Sequence, residues 1–152
     1  LLNTDLAAIG ELRRKGKETG VLVPYAVFPE EFQELRQRIA SRLGNINVGV
    51  MLEVPSNLLD IKKFADADFY SFGPGDLLKN LYGGIDRNSP DFEKVNPNVV
   101  FALVKRCLKE MDCLGHQKKV YMVKNLLGIG NGYENLEAID TYMPSQLMAA
   151  EK

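Results

Sequence analysis

DFYSFGPGDLLKNLYGGIDRNSP, residues 68–90, opens as a strand, bends at Gly73-Pro74-Gly75 and presents Asp76 where the bend ends. Asp86 and Arg87 follow one short helical segment later. Just upstream, VGVMLEVP (residues 48–55) is a second strand, running out into Glu53 and Pro55. Two strands that each deliver a carboxylate at their C-terminal end suggest a metal site at the mouth of a parallel sheet, the edge where α/β folds place their ligands. Glycine at 73 and 75 reads as turn geometry needing positive φ.

Outward from this stretch the chain alternates. Leu6, Ile9 and Leu12 have helical spacing, and VLVPYAV (21–27) is a buried strand with Pro24 toward its C-terminal end, where a missing N–H does least harm to a ladder. Pro29 suits the first turn of a helix whose stripe is Phe32, Leu35, Ile39 and Leu43, stopped by Gly44. After the strand at 48–54, Ser56 or Asn57 is expected to cap a short helix reaching Phe64. Strand three covers 68–72, and Leu77, Leu78 and Leu81 make a short amphipathic helix. Residues 86–97 read as a loop. A long helix then starts at Pro97 or Asn98, with Val100, Leu103, Val104, Cys107, Leu108 and Met111 inward and Gly115 at its end. KVYMVKNLL (119–127) holds a fourth strand, Tyr133–Ile139 a short helix and Asp140–Met143 a short fifth strand. The rhythm predicts an α/β fold with parallel strands. At 152 residues the chain is one domain and too short for a complete (β/α)8 barrel, which takes about 250 residues. It is an open doubly wound sheet or part of a barrel.

Composition bounds the function. A net charge of -1 gives no electrostatic case for nucleic acid or an anionic membrane. No apolar run nears the ~20 residues of a membrane span, and the first residues lack the pattern of a signal peptide. Cys107 and Cys113 are six apart on one helix and point to different faces, so no local disulfide is expected and the compartment reads as reducing and cytoplasmic. The single histidine, His116, reads as a surface residue. GIGNGYEN does not have the spacing of a GxGxxG phosphate loop.

VGVMLEVP, DFYSFGPGDL and IDRNSP together resemble the C-terminal barrel domain of the phosphoenolpyruvate-utilising enzymes, such as pyruvate phosphate dikinase, phosphoenolpyruvate synthase and enzyme I of the sugar phosphotransferase system. The family pattern runs GxMxExP, DFFSIGTNDL, a short helix and VDR. VLVPYAVFPEEF, KKVYMVKNLLG and AIDTYMPS occupy the places of further family strands, so the resemblance covers most of the chain. It implies a partial TIM-type barrel of about strands four to eight, residues 1–152 being the C-terminal part of such a domain. It also implies a phosphoenolpyruvate/pyruvate-binding phosphotransferase, with Glu53 and Asp76 on Mg²⁺, Arg87 on the transferring phosphoryl group, and the N–H groups of Gly75 and Asp76 facing the phosphate.

The sequence departs from the family at telling places. GTND is GPGD here, so Gly75 replaces an asparagine. The family's general-acid cysteine aligns with Val123, its neighbouring glutamate with Asn125, and a basic residue with Ala7; Lys124 is new. A valine cannot protonate an enolate carbon, so catalysis is impaired or absent. Two alternatives stand beside the phosphotransferase. One is a 2-oxo-acid lyase of the citrate-lyase-β type, whose GPNDL turn SFGPGDL resembles. The other is a non-catalytic assembly module. A partial barrel leaves strand edges open, so a homodimer, or association with the missing barrel segments, is expected. Leu1 in place of Met points to a fragment of a longer protein.

Overall fold

The computed structural model describes residues 2–86, 88–96, 98–114, 119–123 and 139–142. Arg87, His116, Lys124, Asn125, the GIGNGYEN segment and residues 133–138 of the expected Tyr133–Ile139 helix lie outside them, while Ile139 itself belongs to a strand. The order is α1 (Leu2–Arg14), β1 (Gly20–Val23), α2 (Pro29–Leu43), β2 (Asn47–Leu52), α3 (Pro55–Leu59), a 3-10 turn (Ile61–Phe64), β3 (Phe69–Phe72), α4 (Pro74–Leu81), a second 3-10 turn (Pro90–Lys94), α5 (Asn98–Cys113), β4 (Lys119–Val123) and β5 (Ile139–Tyr142).

The strands form one sheet in sequence order, β1-β2-β3-β4-β5. The first four are parallel, in register Val23↔Val50, Val50↔Tyr70 and Tyr70↔Val120. Period-2 alternation sends Val23, Val48, Val50, Leu52, Tyr70, Phe72 and Val120 to one face, each at most 4% exposed. There they share a core with Phe32, Ile39, Leu58, Phe64, Leu77, Val104, Cys107 and Met111 from the helices. The opposite face carries Leu22, Gly49, Met51, Phe69 and Ser71, and Leu22 is left exposed. Consecutive parallel strands with helices between them form the wall of a partial barrel, whose second face would turn inward if the barrel closed.

Four local expectations are corrected. β5 runs antiparallel to β4, pairing Val123 with Ile139, so the fifth strand is not a further parallel one; an antiparallel neighbour returns from the sheet edge its predecessor reached and needs no crossover. β1 stops at Val23 because Pro24 cannot donate to the ladder. Val54, not Ser56 or Asn57, is the N-cap of α3, with Pro55 at its first position, where the missing N–H costs nothing. Residues 86–97 are not wholly loop: Ser89 accepts from the Asp91 N–H and opens the second 3-10 turn.

α2 begins and ends as its sequence reads. Pro29 is at its first turn, the Glu31 carboxylate accepts from the Phe28 N–H at 3.1 Å, and Gly44 closes it at φ 69°. Asp68 imitates a strand neighbour: its Oδ2 accepts from the Val48 N–H at 2.8 Å while its own N–H donates to the Val48 carbonyl at 2.9 Å. Both cysteines are free, Cys107 buried and Cys113 exposed. No helix among the described residues is long and apolar enough to cross a membrane.

Burial pushes the Cys107 thiol up to about 12 from 9.0, with the Glu110 charge adding to it, and raises the Tyr70 hydroxyl as well. Both groups stay neutral in the fold at a pH where the unfolded chain would ionise them. The Cys107 contribution is therefore intact below pH 9.0 and is lost as pH rises toward about 12, and that of Tyr70 is intact below 10.0 and is lost above it. Denaturant unfolding should show stability falling above each of these starting points by up to about 1.4 kcal/mol per pH unit per group. Cys107→Val should flatten the first part of the decline, and a thiol reagent at pH 8 should label Cys113 alone.

Candidate active site

Of the carboxylates predicted from sequence, Glu53 directly follows β2 and Asp76 lies in the first turn of α4, the helix that follows β3. Leu52 pairs with Phe72, so Glu53 and Gly73 are the next residues of two adjacent strands, and the Gly73 N–H donates to the Leu52 carbonyl at 3.1 Å. Glu53 is 1% exposed. Its Oε1 accepts from the Tyr25 N–H at 2.7 Å. Its backbone carbonyl accepts from the Asn80 side-chain amide at 2.9 Å, which ties α4 to the end of β2.

Space is tight at Gly73. Its φ is -103°, an ordinary value, so the expected positive φ is corrected. A Cβ there would meet Cβ and Oε2 of Glu53 at 3.0 Å. Gly75 is likewise no turn glycine: it sits buried in the first turn of α4, which Pro74 opens. Asp76 is the third helical residue and half-buried. The Leu77 N–H donates to the Gly73 carbonyl at 2.9 Å, and the N–H groups of Gly75 and Asp76 belong to the first turn of α4. They mark the positive end of the α4 dipole, a place suited to anions.

A third loop completes the mouth. Residues 24–28 link β1 to α2 and carry the exposed side chains Tyr25, Val27 and Phe28. Tyr25 has φ 47°, the left-handed region, which costs a non-glycine residue about 1–2 kcal/mol. Bonds on both sides hold it there. Beyond Tyr25 N–H to Glu53, the buried Asn57 amide donates to the Ala26 carbonyl at 2.6 Å, and Glu31 accepts from the Val27 N–H at 3.2 Å. Sequence reasoning took Asn57 as a cap and passed over Tyr25. The signals were an asparagine inside the apolar run VPSNLL and a large residue directly after a strand-ending proline.

The structure thus brings Glu53, Gly75 and Asp76 to one end of the sheet. Asp86 lies in the turn after α4, its Oδ1 accepting from the Asn88 N–H at 2.9 Å. Val123, aligned with the family's acid, is the last residue of β4. Among the described residues, no three His, Cys, Asp or Glu side chains form a cluster able to hold a metal. A cleft lined by Gln33, Arg36 and Asp66 lies at the opposite end, where β2 begins.

Residues 1–123 match the family described as PEP-utilising enzyme, PEP-binding domain. The chain belongs to that family. Among the curated members it resembles is multiphosphoryl transfer protein 1 of Escherichia coli K12, 34% identical over 88 residues, or 56% of this chain and 10% of that protein. The multiphosphoryl transfer protein of Shigella flexneri matches equally. Pyruvate, phosphate dikinase of Rickettsia prowazekii is 40% identical over 55 residues, 36% of this chain and 6% of that protein. This PEP-binding-domain chain therefore spans about a tenth or less of the length of these relatives. Both the Glu53 and the Asp76 strand ends fall within the part matched by the family.

Proposed function

We propose that residues 1–152 are the C-terminal part of a phosphoenolpyruvate/pyruvate-binding barrel from a Mg²⁺-dependent phosphotransferase, with its proton-transfer chemistry impaired. The observation that carries this reading is the placement of a fully buried carboxylate, Glu53, directly after β2 and a half-buried one, Asp76, in the first turn of the helix that follows the neighbouring β3.

The donor set fits magnesium. Mg²⁺ takes one or two protein carboxylates and fills its octahedron with water and substrate oxygens, so a cluster of three or more protein ligands is not needed. Glu53 and Asp76 would hold it, and when bound it supplies positive charge against the enolate and phosphate oxygens of the substrate. The chain's own parts do the rest. The Gly75 and Asp76 N–H groups would face the phosphate, Arg87 would grip it through a planar two-point contact, and Val27 and Phe28 form an apolar rim. Val123 supplies no proton to the enolate carbon, so binding outlasts turnover in this chain. The site also suits a lyase acting on 2-oxo acids; the GPGD turn favours that reading, and DRNSP favours the phosphotransferase.

β1 is the sheet's outer strand and Leu22 on it is exposed, which favours a covered edge. A homodimer, or association with the remaining barrel segments, would cover it, in a cytoplasmic setting.

Calorimetric titration with oxalate, a mimic of enolpyruvate, tests the reading. Saturable heat with Mg²⁺ and none without it is the expected result, and Asp76→Asn should remove that heat. No heat in either buffer, from a chain folded by circular dichroism, would overturn it.

A further inference from the structure

We propose that Tyr25 is a positioning residue for Glu53, acting through its backbone and not through its phenol. The inference rests on the reading of Glu53 as a cation ligand and adds what holds that ligand in place. The Tyr25 N–H donates to Glu53 Oε1 at 2.7 Å, and the residue that makes this bond is held in a left-handed backbone at φ 47°. Oε2, the other carboxylate oxygen, lies against Gly73. The carboxylate is thus held between an N–H on one side and a residue without a Cβ on the other.

The strained conformation is fastened from outside Tyr25. Asn57 holds the Ala26 carbonyl, and Glu31 holds the N–H groups of Val27 and Phe28. Strain of this kind persists where the surroundings over-determine it, and such places cluster at ligand clamps. The Tyr25 side chain points the other way in energetic terms: it is 47% exposed. Groups that orient a metal ligand typically change affinity by about 10–100-fold when removed. The loop at 24–28 and the carboxylate therefore act as one unit, and cation affinity depends on the loop's backbone.

Two measurements on the full chain test this. The first is amide hydrogen exchange at Tyr25 without metal. Glu53→Ala should speed it by about tenfold or more, because the acceptor is gone, whereas Glu53→Gln should keep it slow, since the amide oxygen still accepts. Unchanged exchange in Glu53→Ala would overturn the proposal. The second is Mn²⁺ titration followed by electron paramagnetic resonance in the presence of oxalate. Tyr25→Ala keeps the N–H and should bind within about threefold of the unmodified chain, while Tyr25→Pro removes both the N–H and the left-handed backbone and should bind about 10–100-fold more weakly. Equal affinity in Tyr25→Pro would overturn the proposal. If Tyr25→Pro fails to fold, the exchange measurement decides alone. If the unmodified chain binds no Mn²⁺, the metal reading of the site fails, and slow exchange lost only in Glu53→Ala still upholds the positioning role.

Discussion

Glu53→Gln is expected to weaken Mg²⁺-dependent oxalate binding by on the order of 100-fold or more while leaving the protein folded. The substitution removes one unit of charge and almost no volume. The glutamine oxygen can still accept from the Tyr25 N–H, and the backbone carbonyl at 53 still receives the Asn80 amide. On the proposed reading, what is lost is the charged ligand of the cation. Removing even a group that merely orients a ligand costs about 10–100-fold, so loss of the ligand itself should cost more. Burial sharpens the effect, since water does not screen an interaction at a residue that is 1% exposed. Calorimetry with oxalate and Mg²⁺ measures it, with circular dichroism as the control for folding. Binding within threefold of the unmodified chain would mean that Glu53 is a structural carboxylate, and the metal assignment would fall.

Gly49→Ala carries the largest expected effect on stability. A Cβ at Gly49 would stand 2.4–2.6 Å from three atoms of the Phe69 ring, closer than any real contact. The ring has little room to retreat, because the same ring lies 3.3 Å from where a Cβ on Gly20 would sit. Over-packing of this kind costs about 1–3 kcal/mol, which for a chain of this size lowers the thermal midpoint by roughly 2–4 °C per kcal/mol. The cause can be isolated by a double-mutant cycle. Gly49→Ala should be much less costly in a Phe69→Leu background, giving a coupling energy above about 0.5 kcal/mol. Additivity within that margin would show that the ring is not the obstacle. The prediction bears on function, because β2 carries Glu53 at its far end, and a shift of that strand would move the carboxylate against Tyr25 and Gly73.

The residues legible without a structure were those whose reason is local. Pro29 opens α2 and Gly44 closes it because one fixes φ for a first turn and the other accepts a positive φ, and both statements need only the chain's own geometry. The inward stripe of α5 follows from a period of 3.6, and Val100, Val104, Cys107, Leu108 and Met111 are buried as that period demands. The carboxylates at 53 and 76 were also visible, because a strand ending in a proline or a glycine-rich bend delivers its next side chain to the sheet's edge.

The contacts that shape the site depend on residues distant in sequence, and here local reading erred or was silent. Gly73 read as a turn residue, yet its φ is unremarkable and the Glu53 side chain, just past the neighbouring strand, is what crowds a Cβ there. Asn57 read as a cap, yet it reaches 31 residues back to the Ala26 carbonyl. Gly49 is explained only by the ring that lies on it from β3. The direction of β5 is set by its pairing with β4, and a short apolar segment has the same period-2 pattern whichever way it runs. Sequence alone thus assigned the family, the strand-helix order and the carboxylates that end two strands. Tertiary structure decided how those carboxylates are held, because a hydrogen bond across 28 residues, as between Tyr25 and Glu53, leaves no periodic trace in the chain.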